Sequence, residues 1–257
     1  MRAALELKGS YFPALMTLSQ VLVRQGRVEE ALSATRRAVA TSPDAEDPSY
    51  VQLALLSARA GQAPQAANFL EALRPRRPRA AGIDTALGLL AEKTGGPGAR
   101  EEAQRRYRAA LALAPASPEA MGRLFTLRRA TGQEAELEPV VRAALALNDA
   151  SILHHNWLGL ILARKGDAAG AESEFLRALS LAPDFGGTMA NLGSLYGRQG
   201  RLEEAVTILG RALRIEPLNL EARVNLGGAL AKLGRLDEAI SSLEEAHRMG
   251  MRSPELC

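Results

Sequence analysis

The chain has 257 residues, of which 47% are apolar and 24% charged, a composition typical of a folded protein and not of a disordered one. A formal net charge of +3, with acidic residues spread along the chain, excludes a long basic stripe for nucleic acid or a membrane surface. Aromatic residues make up 4% of the chain while Ala and Leu dominate most segments, so the composition favours packed helices over sheets.

No apolar run approaches the ~18 residues that a membrane helix needs, and the N-terminus lacks the apolar core of a signal peptide. We therefore interpret the chain as soluble, without membrane insertion. The single cysteine, Cys257, excludes an intrachain disulfide. The compartment stays unknown, because a lone cysteine suits the reducing cytoplasm and also allows the periplasm.

A period of 34 residues runs through the chain, and each unit is numbered here so that a Leu-Gly pair falls at its positions 7 and 8. Residues 1–11 are interpreted as the second helix of an incomplete unit, and residues 254–257 as the start of a further one. Neither end offers a polar capping repeat, so we expect a piece of a longer protein. The complete units are 12–46, 47–80, 81–117, 118–151, 152–185, 186–219 and 220–253.

Each unit predicts two amphipathic helices joined by a tight turn. Apolar residues at positions 7 and 11 share one helix face, and those at 20, 24, 27 and 28 share a face of the second helix. Glycine at position 15, as in Gly166 and Gly200, can take the left-handed conformation that ends the first helix. Proline at position 32, as in Pro183 and Pro217, stops the second. Small residues at positions 8, 20 and 27 let the helices approach closely.

Three segments depart from this pattern. The basic run RPRRPRA at 74–80 is interpreted as a solvated connector, and the turn GGPG at 95–98 as a lengthened helix-helix turn. In the fourth unit, Leu137 replaces the position-20 alanine and Pro139 falls within the second helix. We therefore expect that helix to be delayed or kinked.

The order Leu-Gly, Gly, Ala, aromatic or Leu, Ala, Pro within each unit resembles the tetratricopeptide repeat family over residues 12–253. The resemblance implies an all-α fold, a right-handed α-solenoid of antiparallel helix-turn-helix repeats, with residues 1–257 forming one domain. It also implies a protein or peptide partner bound along a concave groove that the first helices line.

Positions 5, 6 and 13 are among those that the resemblance places in the groove. Asparagine at position 6 is similar to the ladder by which some family members hold an extended peptide, since a carboxamide both donates and accepts hydrogen bonds. Basic residues recur at position 13, which favours an acidic ligand, although they also suit the C-terminal end of a helix. Trp157 has core packing as its alternative role. The predicted ligand-binding residues are Asn156, Trp157, Arg164, Asn191, Arg198, Asn225 and Lys232.

The sequence offers no catalytic set, metal site or cofactor motif. His154 and His155 diverge by about 100° on a helix, so they are poorly placed to share a metal ion and are interpreted as surface or packing residues. We expect a non-catalytic protein-interaction scaffold. The alternative is the repeat arm of a larger enzyme, glycosyltransferase or sulfatase-like, whose catalytic domain lies outside this chain. Nucleic-acid binding is disfavoured because the groove offers one aromatic side chain for base stacking.

Overall fold

The computed structural model describes residues 12–41 and 47–251. Within these two ranges the chain forms fourteen α-helices and two short 3-10 helices, with no strand. The all-α, helical-repeat fold class is thereby confirmed. The calls on residues 1–11, on Pro43 and on 254–257 lie outside the described residues.

The first compact unit is Met1–Gly132. Its core is built around large side chains without solvent exposure, among them Tyr50, Leu70 and Ile83. The connector at 74–80 is partly fixed to this core, because Arg77 Nη1 donates a hydrogen bond to Tyr50 Oη at 2.8 Å. The helices are α1 (Phe12–Arg24), α2 (Val28–Thr41), α3 (Asp47–Arg59), α4 (Ala63–Leu73), the 3-10 helix Arg74–Arg76, α5 (Ala81–Thr94), α6 (Ala99–Leu113) and α7 (Pro118–Arg129).

The second compact unit is Gln133–Cys257. Within it, α9 packs on α10, α11 on α12 and α13 on α14, so that each pair belongs to one 34-residue repeat. The helices are the 3-10 helix Glu134–Leu137, α8 (Glu138–Leu147), α9 (Ile152–Lys165), α10 (Ala168–Leu181), α11 (Gly186–Gln199), α12 (Leu202–Ile215), α13 (Leu220–Lys232) and α14 (Leu236–Met251).

The turn and stop residues act as the sequence predicts. Gly166 and Gly200 have φ angles of 87° and 78°, in the left-handed region that glycine enters without a steric penalty. Helices α10 and α12 end at Leu181 and Ile215, two residues before the prolines at position 32. The fifth and sixth repeats are therefore delimited by the same two backbone devices.

Glycine at position 8 lets the two helices of a repeat touch. A Cβ atom added to Gly159 would lie 2.5 Å from Cε1 of Phe175, and one added to Gly193 would lie 2.5 Å from Cγ of Leu209. Such distances are far below van der Waals contact, so any side chain at this position would push the second helix away. Alanine at positions 20 and 27 is buried for the same reason, as in Ala205 and Ala212, which have no exposed surface.

The fourth repeat has a delayed second helix, as expected. Its α8 begins at Glu138, and a 3-10 turn occupies Glu134–Leu137, where the second helices of later repeats already start. Pro139 lies in the first turn of α8, where the missing N–H has no intrahelical acceptor to lose, so the helix needs no kink. The boundary between the two compact units falls in this same repeat, directly after Gly132.

No helix in the described ranges has both the length and the apolar character that crossing a bilayer requires. The continuous solenoid over residues 1–257 stays a prediction.

Candidate functional site

The predicted ligand-binding residues lie on α9, α11 and α13, the first helices of three successive repeats in the second unit. Arg198 and Lys232 are exposed, whereas Trp157, Asn191 and Asn225 are partly buried. We call this surface the first-helix face; it comprises positions 6 and 13 of the three repeats, that is Trp157, Asn191, Asn225, Arg164, Arg198 and Lys232.

Asn156 is buried and holds Asn191 in place. Its Oδ1 atom accepts one hydrogen bond from Asn191 Nδ2 at 2.9 Å and another from the hydroxyl of Thr188, also at 2.9 Å. Thr188 is fully buried and Asn156 is 9% exposed, so both bonds are largely shielded from water. This bond from its nitrogen to Asn156 holds the partly buried carboxamide of Asn191 in one orientation.

Asn225 occupies the same repeat position as Asn191 but lacks this support. The residues that correspond to Asn156 and Thr188 are Ala190 and Ala222, which carry no polar side-chain atom. Among the described residues, none makes a hydrogen bond with the Asn225 side chain. Its carboxamide is therefore free to rotate, so it can donate to or accept from a ligand.

The basic residues at position 13 differ in how far their charges are neutralised. Arg164 Nε lies 3.0 Å from Oε1 of Glu134, whose side chain is 5% exposed. Arg198 and Lys232 form no ion pair with any described residue. The positive potential of the first-helix face is therefore greatest on α11 and α13.

Trp157 is flanked by a buried histidine pair. The rings of Trp157 and His154 meet edge to face, with centroids 5.1 Å apart. Burial lowers the pKa of His154, and the neighbouring His155 lowers it further. His155 places Nδ1 2.6 Å from Oε2 of Glu174 and Nε2 2.7 Å from the carbonyl oxygen of Asp149. Both histidines therefore have packing roles, in line with the sequence interpretation.

The segment GRLEEA at 200–205 forms an ion-pair cluster at the start of α12. Arg201 donates from Nε and Nη2 to the carboxylate of Glu204, and from Nη1 to Glu172 at 2.7 Å. Its guanidinium also stacks 3.9 Å from the ring centroid of Tyr196. The hydrogen bond from Arg201 lowers the pKa of both glutamates. This cluster joins two second helices and lies away from the first-helix face.

Sequence reasoning missed the residues that support the first-helix face. Thr188 and Glu134 have no repeating counterpart, so the 34-residue period gives no signal for either. The repeat position of Asn156 predicted that it lies in the groove. Its buried bond to Asn191 was not predicted, because the two side chains are 35 residues apart in the sequence. Across the two described ranges, no three His, Cys, Asp or Glu side chains are grouped to hold a metal ion.

Several solved structures are similar to this chain in fold. A tetratricopeptide repeat protein from Parabacteroides merdae is 17% identical, with a TM-score of 0.63 and 95% of each chain covered. PilW, a widely conserved type IV pilus biogenesis factor, is 20% identical, with a TM-score of 0.64 over 82% of this chain and 96% of that chain.

A third similar structure is YrrB, a tetratricopeptide repeat protein with an unusual peptide-binding site. It is 21% identical, with a TM-score of 0.51 over 68% of this chain and 88% of that chain. At these identities the likeness shows the fold alone. No curated protein sequence matches the chain.

The sequence pattern of the tetratricopeptide repeat matches residues 13–37, 138–184 and 191–254. These matches agree with the paired helices, the turn glycines and the buried position-20 alanines. The chain belongs to the tetratricopeptide repeat family.

Proposed function

We propose that the first-helix face binds an extended peptide or protein segment along a concave groove, without catalysis by this chain. Tetratricopeptide repeat proteins bind protein or peptide partners, and the chain is a protein-interaction scaffold of this family. The finer statement, that α9, α11 and α13 form the binding surface, rests on the side chains that these helices present.

The orientation of Asn191 is the observation that carries the proposal. Its Nδ2 atom is held at 2.9 Å by the buried Asn156, so its carboxamide is oriented before any ligand arrives. A fixed carboxamide can bond to a peptide backbone without the entropy cost of ordering the side chain first. Asn225, one repeat further along, supplies a second carboxamide for the same peptide backbone.

The charges favour an acidic partner. Arg198 and Lys232 lie at the same repeat position and have no counter-ion among the described residues, whereas Arg164 is offset by Glu134. Carboxylates of the partner would pair with these two cations through charge-assisted hydrogen bonds. We propose a peptide over a nucleic acid because Trp157 is the single tryptophan of the chain and offers little base stacking.

Intrinsic fluorescence of Trp157 provides the test. Ten-residue peptides, acidic and neutral, are titrated against the full chain and against Asn191→Ala, Asn225→Ala and Arg198→Ala. The acidic peptides are expected to bind more tightly and to lose roughly tenfold in affinity with each variant. Arg214→Ala removes an exposed arginine from a second helix and is the matched control.

Trp157→Ala, followed by calorimetry, separates the roles of this side chain. A groove residue weakens binding when removed, whereas a packing residue lowers the melting temperature instead. Equal affinity of all the variants and the Arg214→Ala control would remove the first-helix face as the binding surface.

A further inference from the structure

An apolar groove of about 600 Å³ lies between the second helices α10 and α12. Met189, Leu192 and Tyr196 of α11 line its floor, while Leu176 of α10 and Ile208 of α12 line its walls. Leu176 is 47% exposed, which is unusual for a leucine flanked by other apolar side chains. We call this cavity the α10–α12 groove.

The equivalent gap one repeat earlier is lined by polar side chains. His155 corresponds to Met189, and its ring nitrogens contact the Glu174 carboxylate at 2.6 Å and the Asp149 carbonyl at 2.7 Å. Arg177 lies 3.3 Å from the carboxylate of Asp149. Each polar group of that gap therefore has its partner within the protein.

The equivalent gap one repeat later is also lined by polar side chains. Arg223 corresponds to Met189, and it donates to the carbonyl oxygen of Pro217 at 2.8 Å and to Glu245 at 2.6 Å. Ser242 corresponds to Ile208, and its hydroxyl donates to the backbone carbonyl of Arg223 at 3.0 Å. Arg223 and Ser242 therefore also have their hydrogen-bond partners within the protein.

The α10–α12 groove differs from both neighbours at the positions of Met189 and Ile208. Met189 carries no donor, so it cannot bind the carbonyl oxygen of Pro183 in the way that its two counterparts bind theirs. Ile208 replaces Glu174 and Ser242, while Arg211 stands where the preceding repeat has Arg177 and the next has Glu245. Arg211 is exposed, and no described residue pairs with it.

We propose that the α10–α12 groove binds an amphipathic helical segment of a partner protein. The segment presents two large aliphatic side chains three or four residues apart to Leu176 and Ile208, and a carboxylate to Arg211. Charge complementarity selects this occupant, because the unpaired cation Arg211 stands at one end of the apolar lining, while the carboxylates of Glu203 and Glu204 stand at the other end. From Glu204 to Arg211 the wall spans about 10 Å, which matches two turns of a bound helix.

This surface is distinct from the first-helix face. Around the axis of α11, Asn191 points about 130° away from Met189, Leu192 and Tyr196. A peptide on the first-helix face and a helix in the α10–α12 groove therefore contact opposite sides of α11. Either binding event can fail in experiment while the other is retained.

The probe is a pair of 16-residue alanine-based helical peptides. One carries two leucines four residues apart with a glutamate one turn beyond, and the other carries serines in place of the leucines. Each is titrated by calorimetry into the full chain and into Leu176→Arg, Ile208→Ser and Arg211→Glu. The first of these mimics the preceding gap, which has Arg142 at that position, and the other two import residues of the following gap.

The leucine peptide is expected to bind and the serine peptide not to bind. Affinity should fall about tenfold in each variant, while Ile215→Ser, an exposed residue at the end of α12, should leave it unchanged. A lysine in place of the peptide glutamate should restore binding to Arg211→Glu, a gain that misfolding cannot produce. Circular dichroism confirms that each variant is folded.

Three results would overturn the proposal. The first is the absence of binding to the wild-type chain, and the second is equal affinity in Leu176→Arg and Ile215→Ser. The third is binding of the small apolar anion anilinonaphthalene sulfonate in the groove without any binding of the leucine peptide. That last result would identify a small-molecule site in place of a docking surface.

Discussion

Asn156 shows how one buried side chain can prepare an exposed one. Its oxygen accepts two hydrogen bonds, from Asn191 and Thr188, and thereby joins α9 to α11. The repeat frame predicted where Asn191 and Asn225 lie, because both follow from the helical period. It could not predict that one carboxamide is fixed and the other free, since that difference depends on Asn156 and Thr188, which do not recur.

Asn156→Ala is expected to destabilise the second unit. The substitution leaves the fully buried hydroxyl of Thr188 without this acceptor, which costs about 1–3 kcal/mol of unfolding free energy. Urea denaturation followed by circular dichroism measures the change. Asn225→Ala removes an asparagine with no described partner and should stay within about 0.5 kcal/mol of the wild type. Equal effects of the two substitutions would contradict the assigned role of Asn156.

His154 is expected to make stability depend on pH. Because burial lowers its pKa in the folded state, the unfolded chain takes up the proton first as the pH falls. The contribution of neutral His154 is therefore complete above about pH 6.5 and is lost as the pH falls below that value.

His154→Asn isolates this contribution. The asparagine carboxamide can still form a hydrogen bond with the hydroxyl of Ser151, which lies 2.6 Å from Nδ1 of His154, but it does not titrate. Between pH 7 and pH 5 the unfolding free energy of the variant should fall less than that of the wild type. Parallel curves from denaturant titrations across this range would show that His154 is not the responsible group.

At the scale of the helix pair, the distance between two helices is set by residues without side chains. Gly159 and Gly193 allow Phe175 and Leu209 to rest directly on the first helices. The sequence predicted this contact, because small residues recur at position 8 opposite a large one at position 24. It did not predict the arginine–glutamate ion pairs. In each of them an arginine donates two hydrogen bonds, from Nε and Nη2, to the glutamate three residues later, as Arg27, Arg201 and Arg235 do.

Gly193→Ala is expected to destabilise the protein by about 1–3 kcal/mol, because its Cβ atom would overlap Leu209 and Ile208. Gly210→Ala in the same repeat is the control. No atom lies within 4 Å of its Cβ position, so alanine should stabilise α12 by about 0.5–1 kcal/mol. Chemical denaturation of both variants should give shifts of opposite sign, and shifts of the same sign would contradict the close contact.

At the scale of the whole chain, the described helices fall into two compact units, and the boundary along the chain falls within the fourth repeat. The period predicted seven equivalent repeats in one solenoid, and it gave no reason to divide them. The departures in the fourth repeat, Leu137 and Pro139, were visible in the sequence. Their consequence was not, because the start of a helix can be read from local residues whereas the grouping of helices depends on long-range packing.

Residues 133–257 are expected to fold on their own. Repeat proteins are stabilised mainly by contacts between neighbouring helices, and the pairs α9–α10, α11–α12 and α13–α14 all lie inside this segment. The isolated segment should show a helical circular dichroism spectrum and a cooperative thermal transition. A spectrum of an unfolded chain would mean that the second unit depends on Met1–Gly132.

The link between the fifth and sixth repeats has a mechanical consequence. Its first helices are joined by the two bonds to Asn156, and its second helices by the bond from Arg201, at the start of α12, to Glu172 of α10 at 2.7 Å. Tyr196 of α11 donates to the same glutamate at 2.9 Å. A rotation of α11 and α12 against the fifth repeat would therefore break bonds on one side of α11 or the other. Bending of the second unit should be small at this link.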